Sequence, residues 1–229
     1  MNEGVLDLGE ALDAQGWALT GPLLSSHECA ALRDAFDDRA RFRSHIDMQR
    51  HGYGRGEYRY FNYPLPAVVQ QLRETLYARL VPLANQWQVR LGHSQRFPAS
   101  LDEYLERCHR AGQCRPTPLV LRYAAGDYNR LHQDLYGDQV FPLQLAVLLG
   151  NPGEDFEGGE FVLTEQKARS QSRVDVVPLA GAGDGVVFAV NERPARGPRG
   201  DHRVRMRHGV SCVRRGERMT LGVIFHDAS

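Results

Sequence analysis

Hydrophobic residues in the first half of the chain recur at the three- and four-residue steps of amphipathic helices. A Ser-x-x-Glu capping box at 25–28 predicts the start of one helix. A long apolar stripe over 65–87 predicts a second helix, which Pro82 should kink or end because proline donates no backbone hydrogen bond. Another capping box at 100–103 predicts a third helix, with three residues on its apolar face: Leu101, Leu105 and Cys108.

From about residue 116 the pattern changes to short β-type runs separated by Gly, Pro, Asn and Asp. Seven or eight strands at this spacing predict a sandwich or barrel. Helices first and strands later favour an α+β fold in one domain, 1–229. Residues 1–115 are then mostly helical support with one glycine- and aromatic-rich loop, and 116–229 form the β core. The runs are TPLVLRYAA, FPLQLAVLLG, EFVLTE, RVDVVPL, GVVFAV, VRMRHGVSCV and RMTLGVIFH.

Composition narrows the class of protein. The 229 residues include 28 basic and 28 acidic ones, and 42% are hydrophobic, which excludes bulk disorder and a uniformly basic nucleic-acid-binding coat. The acidic start of the chain does not resemble a signal peptide, and no apolar run approaches the length that a bilayer requires. The four scattered cysteines favour reduced thiols. Together these features predict a cytoplasmic protein without membrane contact.

The segment LRYAAGDYNRLHQDLYGD carries the most informative motif. His132 and Asp134 are two residues apart, so in an extended strand both side chains point to the same face. His208 lies 74 residues after Asp134, within a late strand run. Two histidines and one carboxylate on one face of an iron ion leave adjacent positions open, as in non-haem oxygenases. A second His-x-Asp, His45 to Asp47, lies in a polar stretch without strand character and is interpreted as a coincidence.

An arginine follows the His-x-Asp…His residues in the sequence. Arg218 comes ten residues after His208, in the terminal strand run. The planar guanidinium group binds carboxylates through two parallel hydrogen bonds, which suits a dicarboxylate co-substrate.

Residues 117 to 227 therefore resemble the Fe(II)- and 2-oxoglutarate-dependent dioxygenase superfamily, whose fold is a double-stranded β-helix, or jelly roll. The runs FEGGEFVL and GDGVVFAV are similar to strand starts of that superfamily. The resemblance implies a jelly-roll core with N-terminal supporting helices, Fe(II) and 2-oxoglutarate as cofactor and co-substrate, O2 as oxidant, and release of succinate and CO2. It implies these roles: iron ligands His132, Asp134 and His208; co-substrate contacts Arg218, Thr220 and Tyr123.

The phrases FEGGEFVLTEQKARSQSR, FAVNERPARGPRG and RHGVS…GERMTLGVIFHDA resemble a narrower group. This is a bacterial oxygenase family described as acting in oxidative demethylation of damaged DNA. The similarity extends through GYGRGEYRYFNYPLP, hence over most of the chain. The resemblance implies alkylated DNA or RNA as substrate.

Two segments are candidates for contact with nucleic acid. Residues 193–218 hold nine arginines against two acidic residues, so Arg203 and Arg205 are candidate phosphate contacts. A solvated arginine-rich loop is the alternative interpretation. In the aromatic segment, cations alternate with rings that could stack on an exposed base, or pack over the mouth of the β core. The candidates there are Arg55, Tyr58, Arg59 and Tyr60.

Two other functions stay open at this point. The same iron chemistry would hydroxylate a side chain of a protein substrate, as prolyl-hydroxylase-like enzymes do. A jelly roll that binds a metal without oxygenase activity is the second alternative, and Arg218 argues against it. The motif itself names neither the target base or residue nor the strand preference.

Overall fold

The computed structural model describes residues 8–198 and 200–229, so the first seven residues and Arg199 lie outside the described part of the chain. No helix among the described residues is long and apolar enough to cross a membrane. The four cysteines are free thiols. The α-helices in these ranges are Leu8–Gln15 (α1), Ser26–Asp34 (α2), Ala67–Arg90 (α3) and Leu101–Arg110 (α4).

Fifteen strands lie in the described ranges, and all seven predicted runs are among them. They are Trp17–Pro22 (β1), Phe42–Asp47 (β2), Gly54–Arg55 (β3), Glu57–Phe61 (β4), Leu119–Tyr123 (β5), Tyr128–His132 (β6), Leu143–Leu148 (β7), Phe156–Gly158 (β8), Phe161–Lys167 (β9), Arg173–Val177 (β10), Asp184–Ala189 (β11), Glu192–Gly197 (β12), Gly200–Val210 (β13), Val213–Gly216 (β14) and Arg218–Ile224 (β15).

Two antiparallel sheets form the core of the molecule. The major sheet has the order β1-β11-β7-β15-β5-β4-β2, and the minor sheet has the order β10-β9-β13-β6-β3, with β12 paired to β13. Several neighbouring strands are far apart in sequence, as β15 between β7 and β5 shows. This connectivity, with helices on one side, is a jelly roll within an α+β fold, so the predicted fold class is confirmed.

The first 115 residues differ from the mostly helical expectation, because three of their strands extend the major sheet. Strand β1 pairs with β11 at one edge, while β4 pairs with β5 and then with β2 at the other. These strands carry many half-buried polar residues, which hides the period-two pattern. His45 and Asp47 therefore do lie in a strand, contrary to expectation, and His45 Nε2 lies 2.5 Å from Glu57 Oε2.

The helices confirm one capping prediction and correct another expectation. Both hydrogen bonds of the capping box at the start of α2 are present. Helix α3 neither ends nor breaks at Pro82 but continues to Arg90. The turn after the proline is held by packing, since Ala84 and Trp87 are fully buried and Trp87 Nε1 donates to Asp13 Oδ1 at 2.6 Å. Tertiary contacts thus outweigh the lost backbone bond.

The helices pack on the major sheet through a cluster of rings, which fixes the chain end. Tyr77, Phe141 and Phe225 lie with ring centroids 5.0 to 6.2 Å apart. Beside them the fully buried Arg73 donates to Asp227 Oδ1 at 2.7 Å and to the carbonyl of Ile224 at 2.9 Å. A buried ion pair of this kind ties α3 to the end of β15.

His226 makes stability depend on pH. Burial, and then the charge of Arg73, lower its pKa to about 4. Between the ordinary value of 6.5 and 4, the unfolded state binds a proton that the folded state does not. Above pH 6.5 the titration of His226 therefore does not lower the free energy of unfolding. As the pH drops from 6.5 to 4, the free energy of unfolding falls by about 3 kcal/mol.

Urea unfolding across this pH range measures the effect. His226→Gln should remove this share of the pH dependence, whereas His27→Gln, at an exposed position, should leave the curve of the wild type unchanged. Parallel curves for His226→Gln and wild type would contradict the assignment.

Candidate active site

A cavity of about 540 Å³ lies between the two sheets. Residues from strands of both sheets and from the loop after β6 line it. All six residues predicted to bind iron or co-substrate line it: Tyr123, His132, Asp134, His208, Arg218 and Thr220. The fold therefore brings together residues that are up to 97 positions apart.

The two histidines are direct cross-strand neighbours in the minor sheet. His132 on β6 is in register with His208 on β13, and their ring centroids are 4.2 Å apart. Asp134 follows two residues after β6 ends. Its Oδ1 lies 3.6 Å from His132 Nε2, and its Oδ2 lies 3.3 Å from His208 Nε2. One ligand atom from each residue lies within 4.8 Å of the others.

Hydrogen bonds fix the loop that carries the carboxylate. The carbonyl of Arg130 accepts from His132 Nδ1 at 2.7 Å, which leaves the lone pair of Nε2 facing Asp134. Gln133 lies between His132 and Asp134 in the sequence. Its Nε2 donates to Asn191 Oδ1 at 2.7 Å and to the carbonyl of Met206 at 2.8 Å. Gln133 thus ties the loop of His132 and Asp134 to β13, the strand that carries His208.

Charge in the cluster favours the forms that bind a metal. Burial opposes the ionised form of Asp134, but a hydrogen bond from His208 and the charges of both histidines hold its pKa below the usual range. Burial, and then the neighbouring His208, lower the pKa of His132. At neutral pH the cluster therefore offers a carboxylate together with a neutral imidazole from His132.

These donors fit a divalent iron ion. Two ligand atoms at right angles, each about 2.1 Å from one ion, are about 3 Å apart. The 3.3 Å between Asp134 Oδ2 and His208 Nε2 is close to this value. Two imidazoles and a carboxylate are also the donor set of non-haem Fe(II) sites.

Arg218 brings a buried positive charge to the same cavity. Its side chain is 1% exposed, and Nη1 donates to Thr220 Oγ1 at 2.5 Å. The guanidinium group lies between the rings of Tyr123 and Phe156, 5.8 and 5.9 Å from their centroids. Burial lowers its pKa to about 10, so it stays charged at neutral pH. Within the described chain its Nε is buried without a hydrogen-bond partner.

A glycine makes room for this arginine. Gly159, in the run FEGGEFVL, has a φ of +64°, and a Cβ there would lie 2.6 Å from Arg218 Cδ. Another side chain at position 159 would meet both backbone strain and the arginine stem. The glycine pair in this run therefore has a local structural reason.

The aromatic segment divides between the cavity and the core. Tyr58 lines the cavity, as does the half-exposed Tyr53. Tyr60 is 7% exposed, and its hydroxyl bonds to Tyr136. Arg59 is buried against the Phe36 ring, so it is not available to a substrate. Arg55 is exposed, and its Nε lies 4.0 Å from Asp127 Oδ1.

Most of the described part of the arginine-rich segment is strand rather than solvated loop: β12 and β13 pair as a hairpin, and β14 and the start of β15 follow. Arg203 and Arg205 point to the face of β13 opposite His208, because the pairing with β9 is regular from 204 to 210. Both lie beside Glu192, at 3.2 and 3.8 Å. Arg193 is 1% exposed and pairs with the buried Glu165. The structure thus does not bring these arginines to the cavity.

Sequence reasoning missed several residues that line the cavity, among them Leu135, Tyr136 and Gln144. Tyr136 donates to Asp134 Oδ1 at 2.7 Å, and Leu135 is 45% exposed at the cavity mouth. Gln144, on β7, is 4% exposed, lines the cavity and has an Oε1 with no partner among the described residues. Of these three, only Tyr136 and Leu135 carry a sequence signal, their nearness to the His-x-Asp motif.

A jelly roll with a His-x-Asp…His cluster and a buried arginine in one cavity defines a 2-oxoglutarate- and Fe(II)-dependent oxygenase, whose cofactors are Fe(II), 2-oxoglutarate and O2. The sequence profile of the family Oxygenase-NA matches residues 56–228. The chain belongs to this family, which is described as "Oxygenase, catalysing oxidative methylation of damaged DNA".

The chain is also similar to two uncharacterised proteins and to solved structures. Two uncharacterised proteins of Mycobacterium tuberculosis are 47% identical over 169 residues, which cover 74% of this chain and 72% of theirs. A Pseudomonas putida prolyl-4-hydroxylase has a similar structure, with a TM-score of 0.55, 16% identity and 94% of each chain covered. A Burkholderia pseudomallei oxidoreductase of the 2OG-Fe(II) oxygenase family has a TM-score of 0.55 at 17% identity, covering 100% of this chain and 95% of that one. At these identities the two structures support the fold alone.

The buried Oε1 of Gln144, which has no partner among the described residues, predicts a gain in stability when it is removed. Gln144→Leu should raise the free energy of unfolding of the metal-free protein by about 1 kcal/mol, because a buried polar group without a hydrogen bond is destabilising. Urea unfolding measures this change. Gln113→Leu is the matched control with the opposite sign, since Gln113 Nε2 donates to the carbonyls of Asp227 and Gln139 at 2.6 and 3.0 Å. A loss of stability in Gln144→Leu would contradict the prediction.

Proposed function

We propose that His132, Asp134 and His208 hold the catalytic iron, and that Arg218 binds the far carboxylate of 2-oxoglutarate with help from Thr220 and Tyr123. One observation carries this proposal: three metal-ligating side chains and one buried, charged arginine face the same cavity. A carboxylate is the natural partner of a buried guanidinium group whose Nε has no bond within the described chain.

With the iron and co-substrate bound, O2 is used to hydroxylate a substrate C–H group while 2-oxoglutarate is converted to succinate and CO2. The residues of this chain supply position and a dry environment. Phe161 and Phe188 pack their rings 5.9 and 4.7 Å from the ring of His208, so one wall of the centre is apolar. Arg218 fixes one end of the co-substrate, which leaves its keto acid end to face the histidines.

For the substrate we infer alkylated DNA or RNA. Hydroxylation of an N-methyl carbon gives an unstable product that loses formaldehyde, so the expected outcome is removal of the methyl group. The family description, which names damaged DNA, supports this class. Tyr53 and Tyr58 at the cavity offer ring faces to an extruded base, and the exposed Arg130 lies on the same cavity wall.

A protein substrate is the second candidate. Leu131 and Leu135 flank the His-x-Asp motif and are 46% and 45% exposed at the cavity. Exposed leucines beside a cavity favour an apolar side chain as the group that enters it. The same iron chemistry would then leave an alcohol on a side-chain carbon.

Removal of Arg218 tests the co-substrate site. Arg218→Ala should weaken 2-oxoglutarate binding roughly 30- to 1000-fold, since truncating one partner of a buried charge pair costs about 2–4 kcal/mol. Calorimetric titration of the Mn(II)-loaded protein with 2-oxoglutarate measures the change. Arg110→Ala is the control, because Arg110 is exposed on α4. Arg218→Lys keeps the charge but not the fork, and should also bind more weakly. Unchanged affinity in both variants would refute the assignment.

A screen of substrate pools tests the substrate class. Succinate and formaldehyde release are measured with methylated single- and double-stranded DNA, methylated RNA and proline-containing peptides. We expect nucleic acid to stimulate both products in the wild type and none of the pools to do so in His132→Ala. Stimulation by peptides alone, or by no pool, would contradict the nucleic-acid proposal.

A further inference from the structure

Two tyrosines link the N-terminal part of the major sheet to the carboxylate of the candidate iron centre. The hydroxyl of Tyr60 donates to the hydroxyl of Tyr136 at 2.9 Å. The hydroxyl of Tyr136 donates in turn to Asp134 Oδ1 at 2.7 Å. The tyrosine pair is thus one chain of hydrogen bonds that ends on one carboxylate oxygen of Asp134.

The surroundings hold this chain in place. Asp134 is 8% and Tyr60 is 7% exposed, so water competes little for these bonds. Strand β4 sets the position of Tyr60, which is in register with Leu119 on β5. On the ring of Tyr60 lies the guanidinium group of Arg43, 4.4 Å from the centroid.

The two oxygens of Asp134 differ in their partners. Oδ1 accepts from Tyr136 and lies 3.6 Å from His132 Nε2. Oδ2 lies 3.3 Å from His208 Nε2 and accepts no bond from a tyrosine. Both oxygens face the histidines, so geometry alone would allow either one, or both, to bind the ion.

We infer that Tyr136, supported by Tyr60, is a positioning residue that occupies Oδ1 and leaves Oδ2 of Asp134 as the metal ligand. The inference rests on the proposed iron site. A hydroxyl that donates to Oδ1 withdraws electron density from it and fixes the plane of the carboxylate. Tyr60 strengthens that bond, because hydrogen bonds in a chain polarise one another.

The consequence concerns the positions left open on the metal. Two histidines and one carboxylate oxygen leave three adjacent positions, which suit a co-substrate that binds through two atoms and O2. A carboxylate that binds through both oxygens would take one of the three. The tyrosine pair therefore keeps room for both O2 and 2-oxoglutarate.

Metal titration tests the inference without turnover. Calorimetric titration with Mn(II) should show a Kd for Tyr136→Phe that is roughly 10- to 100-fold above the wild-type value, the usual effect of removing a hydrogen bond to a ligand. Tyr60→Phe should show a smaller rise in the same direction. In the Mn(II)-loaded form of Tyr136→Phe, 2-oxoglutarate should also bind more weakly.

Controls separate positioning from folding. Tyr104→Phe removes a hydroxyl that is buried in the helical layer outside the cavity and should leave the Mn(II) affinity unchanged. The melting temperature of each metal-free variant is measured in parallel. If Tyr136→Phe does not fold, Tyr60→Phe and its metal affinity decide the question.

The outcomes also distinguish the two proposals. Absence of Mn(II) binding in the wild type would overturn the proposed iron site and this inference with it. Wild-type binding together with equal affinity, within about twofold, in both Tyr136→Phe and Tyr60→Phe would overturn the inference alone.

Discussion

The register between β6 and β13 is the constraint on which the candidate site depends. It sets His132 opposite His208 on the inner face of the minor sheet. A slip of one residue would turn either side chain to the outer face, because strand side chains alternate. The register is held from the other side by the long ladder of β13 with β9, which is regular from 204 to 210. The opposition of the two histidines is therefore a property of the sheet, whereas Asp134 is placed by the loop that follows β6.

The charged side chains of the site are buried. Their burial determines which ligands the site can bind, and it also costs free energy of folding. Asp134 and Arg218 are both charged and almost fully enclosed, and each would be destabilising without partners. Asp134 accepts hydrogen bonds from Tyr136 and His208, whereas within the described chain Arg218 has one side-chain hydrogen bond, to Thr220. Within the described chain, the hydrogen-bonding groups of Arg218 therefore have fewer partners than those of Asp134. This imbalance is what a site for an anionic co-substrate requires, since the ligand supplies the missing acceptor.

Sequence was sufficient for the local parts of this structure. The capping box at 25–28 and the seven apolar runs depend on neighbours in the chain, and all of them occur, whereas Asp134 lies beyond the end of β6 and not in a strand. Sequence was insufficient for the supporting contacts. Tyr60 and Tyr136 are 76 positions apart, and no spacing rule links them. The strand β2 was hidden for a related reason, because its pairing with β4 compensates for a polar, half-buried pattern.

The abundance of arginine did not predict which arginines face the cavity, and the reason is geometric. Three arginines from one segment have three different environments. Arg193 is buried against Glu165, Arg205 lies beside Glu192 on the outer face of the minor sheet, and Arg218 faces the cavity. Along a strand, residues with odd and even numbers point to opposite faces, so Arg205 cannot share a face with His208. A basic run therefore gives the charge of a segment but not its direction. A polyanion that reached the iron would meet Arg130 at the cavity wall, because the Arg205 face lies on the other side of the sheet.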